Sequence, residues 1–401
     1  MHITLTDEQR RIVKEAVRWY HNSSEQVFQF AGNPGTGKSV VLGAINQELG
    51  LNLGRVAPMA YVGAAAIQMR LKGLINAKTI HSWLYEIVEV PVLDEHGQPL
   101  RDSFYNKPIT EMQFVPRELD NIDLMEIDEA GTVPMSMKAD IESRNKKIIA
   151  AGDLDQLKPV GDNPAYLNYG KVYELHQIMR QAENSPIIYL SQRAKNGLPI
   201  DVGLYGNAVL VCYDDEVTDD MLRWAGVVLC GRNKTRENIT NDIRRRILGK
   251  TTDYPTYGEK MICRKNNWNI SVGGINLTNG LTGTVINNPD PSTFDGKSYT
   301  IDFLPDLTNT PFYGVMADYE YLVADPANKE IIKKSRYNPG NKFEFGYAQT
   351  VHLAQGNQWT HGIFFEEYMM DSTNRVNYVA LTRFSNSCIY VKRRPKFRSF
   401  R

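Results

Sequence analysis

Gly32-Asn33-Pro34-Gly35-Thr36-Gly37-Lys38-Ser39 is the stretch on which the reading of this chain turns. It matches G-x-x-x-x-G-K-[ST] in full. The apolar run Val27 to Ala31 leads into it, and helically spaced apolar residues from Val40 to Leu49 lead out. That order predicts a strand, a tight turn and a helix. The glycines let the backbone curl around a phosphate. Backbone N–H groups then converge at a helix N-terminus, where the helix dipole favours negative charge. In this pattern Lys38 reaches the β- and γ-phosphates, and the Ser39 hydroxyl ligates Mg²⁺. The stretch therefore predicts a site for ATP with Mg²⁺.

Other strand ends supply the rest of such a site. Leu124-Met-Glu-Ile127-Asp128-Glu129-Ala130 places an acidic pair after an apolar strand. There Asp128 is expected to hold Mg²⁺ through water, and Glu129 to orient or deprotonate the attacking water. Ala151-Gly-Asp-Leu-Asp-Gln156-Leu157 follows another strand, and Gln156 is placed to sense the γ-phosphate. An arginine from across a cleft would stabilise charge on the transferred group. Arg180 and Arg383 are the candidates, although spacing alone does not select them.

The surrounding pattern is α/β. Thr6 can cap a first helix carrying Ile12, Val13, Ala16, Val17 and Tyr20 at helical spacing, and Thr6 with Gln9 forms a capping box. Strands are expected near Arg55–Pro58, Leu124–Asp128 and Lys147–Gly152, alternating with helices, which implies a parallel sheet. Between Trp83 and Asn121 the chain reads as an inserted β-hairpin turning at Asp94–Gly97. A second α/β unit starts after Gln181, with a strand at Val227–Cys230 and a helix at Lys234–Leu248 closed by Gly249. From about 252 to 341 the chain is strand-rich and suits a small β-barrel insert; strands at Thr360–Glu366 and Ile389–Val391 resume the α/β pattern.

Composition is consistent with this. The length of 401 residues implies two or three domains, and the 42% apolar content is ordinarily globular. No run approaches the roughly 20 apolar residues of a membrane span, and the N-terminus has no signal-peptide core, so a cytoplasmic protein is expected. Cys212, Cys230, Cys263 and Cys388 lie too far apart for a C-x-x-C pair and read as scattered thiols. Lys plus Arg equals Asp plus Glu, 46 each, which leaves room for a local basic groove. Six basic residues between Lys392 and Arg401 read as a solvated tail.

Taken in order, these residues resemble superfamily 1 helicases, on the 5′→3′ branch of RecD-like and bacteriophage Dda-like proteins. The matching segments run from Gln9 through Gly32–Ser39, Ala57-Pro58 with Ala64–Ala66, Thr79–Ser82, Asp128-Glu129 and Gly152–Val160. They continue through Arg180-Gln181, Leu229–Thr235, Thr350–Gly356 and Ala380–Arg383. The resemblance implies two RecA-like domains with ATP between them. Residues 1–185 would be the first, and 186–251 with 343–401 the second; a hairpin at about 86–118 and an SH3-like insert at 252–342 complete the chain. It further implies that Gln9 reads adenine, and that Gly32, Asn33, Pro34, Gly35, Thr36, Gly37, Lys38, Ser39, Val40 and Gly356 line the nucleotide. Arg180 and Arg383 would bridge to the γ-phosphate. Single-stranded DNA would cross both domains past Pro58, Thr79, His81, Thr350 and His352. Phe104 or Tyr105 on the hairpin would stack on the pair being split.

The chain departs from the family at Gly131, Leu353 and Gln358, where a serine, a lysine and an acidic residue are usual. These touch DNA grip and coupling rather than the phosphate chemistry. The implied partners are single-stranded DNA and its junctions with duplex, with a single-strand-binding or replication protein as a candidate; a monomer is expected. A translocase that displaces proteins, a nucleotide-switched binding module and an RNA track stay open as alternatives.

Overall fold

The computed structural model describes residues 4–101, 108–159, 161–177, 185–272, 275–289, 294–306, 308–334 and 340–395. Two six-stranded sheets organise them. In the first, Lys78–Thr79, Val56–Ala60, Leu124–Asp128, Lys147–Gly152, Val27–Gly32 and Val172–Leu175 lie side by side, all parallel. Helices cover both faces. Asp7–Asn22 and Lys38–Leu49 bury Ile12, Ala16, Val41 and Ile45 against Phe28 and Phe30. Ile80, Leu84 and Ile141 pack on Met125 and Ile127 on the opposite face. The first helix opens with the expected capping box: Thr6 N–H donates to Gln9 Oε1 (3.0 Å) and Gln9 N–H to Thr6 Oγ1 (3.2 Å).

The second sheet runs Ala348–Thr350, Val228–Cys230, Trp359–Phe365, Phe384–Lys392 and Val209–Tyr213 in parallel, with Gly203–Tyr205 antiparallel at the edge. Helices Pro186–Lys195 and Thr373–Leu381 pack on one face through Ile187, Leu190, Val376 and Val379. The helix expected at 234–248 is not continuous. It runs as an α-helix over Asn233–Asn241 and widens into a π-helical turn over Asp242–Ile247. That turn presents Arg244 to Glu259 (2.7 Å) in the barely exposed layer beneath it. A buried guanidinium without its carboxylate costs several kcal/mol, and the widened turn avoids that cost.

Two smaller β elements interrupt the sheets. Tyr85–Pro91 and Thr110–Pro116 form an antiparallel ribbon. Beyond it Asp94 Oδ1 accepts from His96 and Gln98 N–H (both 2.8 Å) and Gly97 turns at φ 76°. Phe312–Asp318, Ser298–Pro305, Thr282–Val285, Lys260–Cys263 and Phe343–Phe345 form a five-stranded antiparallel sheet. Its last strand comes from beyond residue 342. The sheet meets itself where Asn341 bridges Ala317. There Lys342 and Asp318 are paired and fully buried.

The basic tail is partly tied down, contrary to the solvated reading. Lys392 belongs to a strand and donates to the Ile200 carbonyl (2.5 Å), and Arg394 Nε meets Asp215 (2.7 Å). All four cysteines are free and buried. Among the described residues no helix is long and apolar enough to cross a membrane.

One core position is unusual. Glu126 lies mid-strand, fully buried, with both carboxyl oxygens unpartnered, and Asn46 of the Lys38–Leu49 helix lies near it. Burial pushes its carboxyl from 4.5 up to about 8, so it is folded as the neutral acid. An unfolded chain releases this proton near 4.5. The stabilising contribution is therefore complete below that pH and is lost as pH rises towards 8, at about 1.4 kcal/mol per unit. Glu126→Gln, which stays neutral, is expected to flatten this loss. Thermal unfolding at pH 5 and pH 8 checks it; equal Tm differences between variant and parent at both would refute the buried acid.

Candidate functional site

The strand Val27–Gly32 ends at the carboxyl edge of the first sheet, where open parallel sheets place ligands. The following loop is left-handed at Gly35 (φ 86°) and Gly37 (φ 84°). A side chain at Gly37 would also collide, since a Cβ there stands 2.5 Å from Gln9 Nε2. Gln9 braces this loop. Its amide donates to the Thr36 carbonyl (2.9 Å) while its oxygen accepts from Thr6 N–H. With 1% exposure, Gln9 is buried against the loop backbone, where the capping box and the loop brace both fix it. Thr36 Oγ1 donates to the Asn33 carbonyl (2.8 Å), and Lys38 Nζ to the Gly32 carbonyl (2.6 Å). The lysine amine thus sits across the concavity. Ser39 is exposed, with Lys72 Nζ 3.5 Å from its hydroxyl. Lys72 was not singled out in the sequence, because nothing in a GK[ST] pattern points to a residue from the next helix.

Asp128, Glu129 and Gln156 come together as the sequence implied. Glu129 N–H donates to Asp128 Oδ1 (2.9 Å), and Gln156 Nε2 to Glu129 Oε2 (2.5 Å). Glu129 is left-handed (φ 53°), a conformation that costs a non-glycine residue about 1 kcal/mol or more and aims its carboxylate away from the strand. Burial first, then the Glu129 charge, holds the Asp128 carboxyl above its ordinary range, while Lys38 and Lys72 pull it back. A carboxylate and a hydroxyl are hard-oxygen donors of the kind Mg²⁺ takes. Ser39 and Asp128 are the residues that would hold it.

The second sheet closes on this site. The Tyr378 hydroxyl donates to Asp153 Oδ2 (2.5 Å) and lies 3.4 Å from Asn33 Oδ1 in the phosphate loop. Lys195 pairs with Asp155 and lies 3.4 Å from the same Asn33 oxygen. Gln355 Nε2 donates to the Leu157 carbonyl (3.0 Å). Burial and the Asp153 charge push the Tyr378 phenol well up, so it remains the donor. Neither Asp153 nor Tyr378 has a role in the sequence motifs. Their signal was pairwise, and a single chain carries no record of which residues meet.

Arg383 is buried and donates to the Val379 and Asn357 carbonyls (3.3 and 3.4 Å) and to Thr382 Oγ1 (3.1 Å). Among the described residues no carboxylate pairs with it. Arg180, Phe104 and Tyr105 lie outside the described residues. Gly356, expected on the nucleotide, instead packs on the Gly63–Leu71 helix: a Cβ there would stand 3.0 Å from Ala65 N. Its φ of 79° and that close approach, not a phosphate, account for the glycine.

A groove of about 370 Å³ lies between the Gly63–Leu71 helix, the base of the two-stranded ribbon and the Asn267–Leu277 segment. Thr79 and His81 line it together with Arg70, Lys78, Arg117 and Trp268. Burial lowers the pKa of Arg70, Lys78 and His81, so the histidine is neutral at pH 7. His81 faces the rings of Tyr61, Tyr85 and Phe114. Thr79 Oγ1 caps the next helix by accepting from Ser82 N–H (3.2 Å). Pro58 does not join them. It is buried mid-strand, and its carbonyl accepts from Trp83 Nε1 (2.9 Å), which closes it to any ligand in the groove. Thr350 is almost buried, its hydroxyl accepting from Leu353 N–H (3.3 Å), and His352 is partly buried with its pKa lowered.

This geometry has relatives. The RecD2 ATP-dependent DNA helicase of Deinococcus radiodurans is 23% identical over 399 residues, covering 94% of this chain and 48% of its own. The chain thus spans about half the length of that relative. The Pif1 helicase structure from Candida albicans superposes with a TM-score of 0.54 at 18% identity, over 98% of this chain and 95% of its own. A Bacteroides Pif1 helicase in complex with ADP-AlF3 and ssDNA gives 0.55 at 15%, over 97% and 92%. Both share the fold of two RecA-like parallel sheets. The AAA domain family, AAA_30, matches residues 4–210, more than half of the chain. The resemblance to RecD-like superfamily 1 proteins therefore holds, and the chain belongs to the AAA domain family.

Proposed function

We propose that the chain is an ATP-dependent DNA helicase that moves 5′→3′ along single-stranded DNA and separates duplex. The observation that carries this reading is the seam at the phosphate loop. Asn33 of the first sheet meets Tyr378 and Lys195 of the second, so a nucleotide bound there touches both. A ligand that bridges two bodies changes their fit when its γ-phosphate is cleaved.

The roles follow from placement. Lys38 holds the β- and γ-phosphates, and residues 32–40 wrap the phosphate chain. Glu129, aimed by its left-handed backbone and by Gln156, positions the attacking water and takes its proton. Mg²⁺ held by Ser39 and Asp128 would neutralise charge on the β- and γ-oxygens. Arg383, buried among neutral acceptors, has a full charge to offer the γ-phosphate once the helix end shifts. Arg180 is assigned the same task by resemblance.

Residues 1–185 are proposed as one RecA-like domain, and 186–251 with 343–401 as the other. Residues 252–342 are proposed as the SH3-like insert, its sheet completed by Phe343–Phe345, and the ribbon of about 86–118 as the strand-separating hairpin, with Phe104 or Tyr105 stacking on the pair being split. The basic groove lined by Thr79 and His81 carries the strand, with Thr350 and His352 gripping it from the second domain. Its lysine and arginines would release counterions on binding, so affinity falls steeply with salt. The Bacteroides relative is named in complex with ssDNA, which supports a single strand as the ligand. We assign a monomer as the working unit, acting at single-strand–duplex junctions and open to a single-strand-binding or replication partner.

ATP hydrolysis measured with and without single-stranded DNA tests this. Strong stimulation is expected in the parent, with a fall on the order of 10²-fold or more in Lys38→Ala. A 5′-tailed duplex should be unwound and a 3′-tailed one spared. Hydrolysis indifferent to DNA would leave a nucleotide-switched module instead. Tyr378→Phe removes the donor from buried Asp153 and is expected to cost about 1–3 kcal/mol of stability. Amide exchange should quicken in the 373–381 helix and in the phosphate loop together; unchanged exchange would mean that the sheets are held without this bond.

A further inference from the structure

A cavity of about 260 Å³ is lined by Gly131, two residues after Glu129, and by Gln156, which bonds to Glu129. Its wall includes Gln156, whose amide holds Glu129, and Asp153, which Tyr378 holds. Two cations enter it from opposite sheets. Lys158 follows Gln156 in the first, and Arg375 sits on the 373–381 helix of the second. Among the described residues neither has an ion-pair partner. The volume far exceeds the roughly 10–15 Å³ that one water needs. The single acid in the wall, Asp153, already accepts from Tyr378 OH (2.5 Å) and Asp155 N–H (2.9 Å).

Resting on the ATPase reading above, we propose that this cavity is an anion subsite that receives the inorganic phosphate leaving the hydrolytic centre, held by Arg375 and Lys158. Two unpaired cations converging from two bodies form an anion site that exists only while the seam is closed. Gln156 lines it and holds Glu129, so the group assigned to sense the γ-phosphate also borders the proposed subsite. Phosphate held there ties the two sheets together after cleavage, and its loss frees the seam to open.

The full chain, saturated with single-stranded DNA, is mixed with Mg-ATP. Cleavage is followed by acid quench, and free phosphate by a fluorescent phosphate-binding protein. In Arg375→Ala/Lys158→Ala the first-turnover cleavage should stay near the parent rate. Retention of phosphate should shorten by about tenfold, and Arg375→Lys should restore most of it. Phosphate release that tracks cleavage identically in parent and variant would overturn the proposal. So would a loss of DNA affinity with release unchanged, because the cations would then serve the strand. Should the double variant fail to fold, Lys158→Ala alone, at an exposed side chain, gives the same comparison. A second arm needs no helicase activity. Inorganic phosphate is titrated calorimetrically into Lys38→Ala, which lacks the phosphate-loop lysine. Binding is expected there and should vanish when Arg375→Ala is added. No binding in Lys38→Ala sinks the subsite, whereas a parent without DNA-stimulated hydrolysis sinks only the helicase reading.

Discussion

The Tyr378 hydroxyl bonds to Asp153 across 225 residues of chain, and the site takes its shape from that seam. Each parallel sheet alone presents only half of the proposed nucleotide pocket at its carboxyl edge. The first offers the phosphate loop, the acidic pair and Gln156. The second offers Lys195, Tyr378 and the buried Arg383. Asn33 lies where they meet, within 3.4 Å of both Tyr378 and Lys195. A short bond between a phenol and a buried carboxylate is strong because little water competes for it. It is also directional, so it fixes the register of two bodies that otherwise could slide.

Local constraints prepare the first half for this role. Positive φ at Gly35 and Gly37 allows the tight turn, and Gln9 locks it from behind. The brace comes from the first helix, which is itself set by the Thr6–Gln9 capping box. One amide thus links helix initiation to loop shape. The same economy appears at Glu129, whose strained backbone is supported by Thr132, with both its N–H and its hydroxyl donating to the Glu129 carbonyl (2.9 and 2.8 Å).

Much of this was legible in the sequence, and the failures have physical reasons. The phosphate loop, the Leu124–Asp128 strand and the convergence of Asp128, Glu129 and Gln156 were readable, because they depend on local pattern and on the carboxyl edge of one sheet. Lys72, Lys195 and the Tyr378–Asp153 bond were not, since each depends on tertiary approach. Pro58 and Gly356 were assigned to ligands by motif position. Burial explains the first, and a close backbone approach to Ala65 the second. The π-turn at 242–247 was hidden too. Its apolar spacing reads as an ordinary helix, and the demand of Arg244 for Glu259, 15 residues on, does not show in that spacing.

That demand matters for how the groove behaves. The antiparallel sheet is fastened to the second parallel sheet by buried charges: Arg244 with Glu259, and Arg236 with Glu344, where Arg264 and Lys329 also converge. These cations hold the Glu344 carboxyl down at about 2, and the Arg244 guanidinium stacks 3.8 Å over the Phe345 ring. Breaking one member of such a pair costs about 3–5 kcal/mol, so the insert travels with the second sheet. Its Asn267–Leu277 segment, however, faces the Gly63–Leu71 helix of the first across the groove. The same helix buries Ile67 in the core of the antiparallel sheet, and Gly63 lies so close to Thr278 that a Cβ there would stand 2.3 Å from its hydroxyl. The groove therefore borders a packed contact between the two bodies, and any coupling between the proposed nucleotide cleft and the groove runs through that contact.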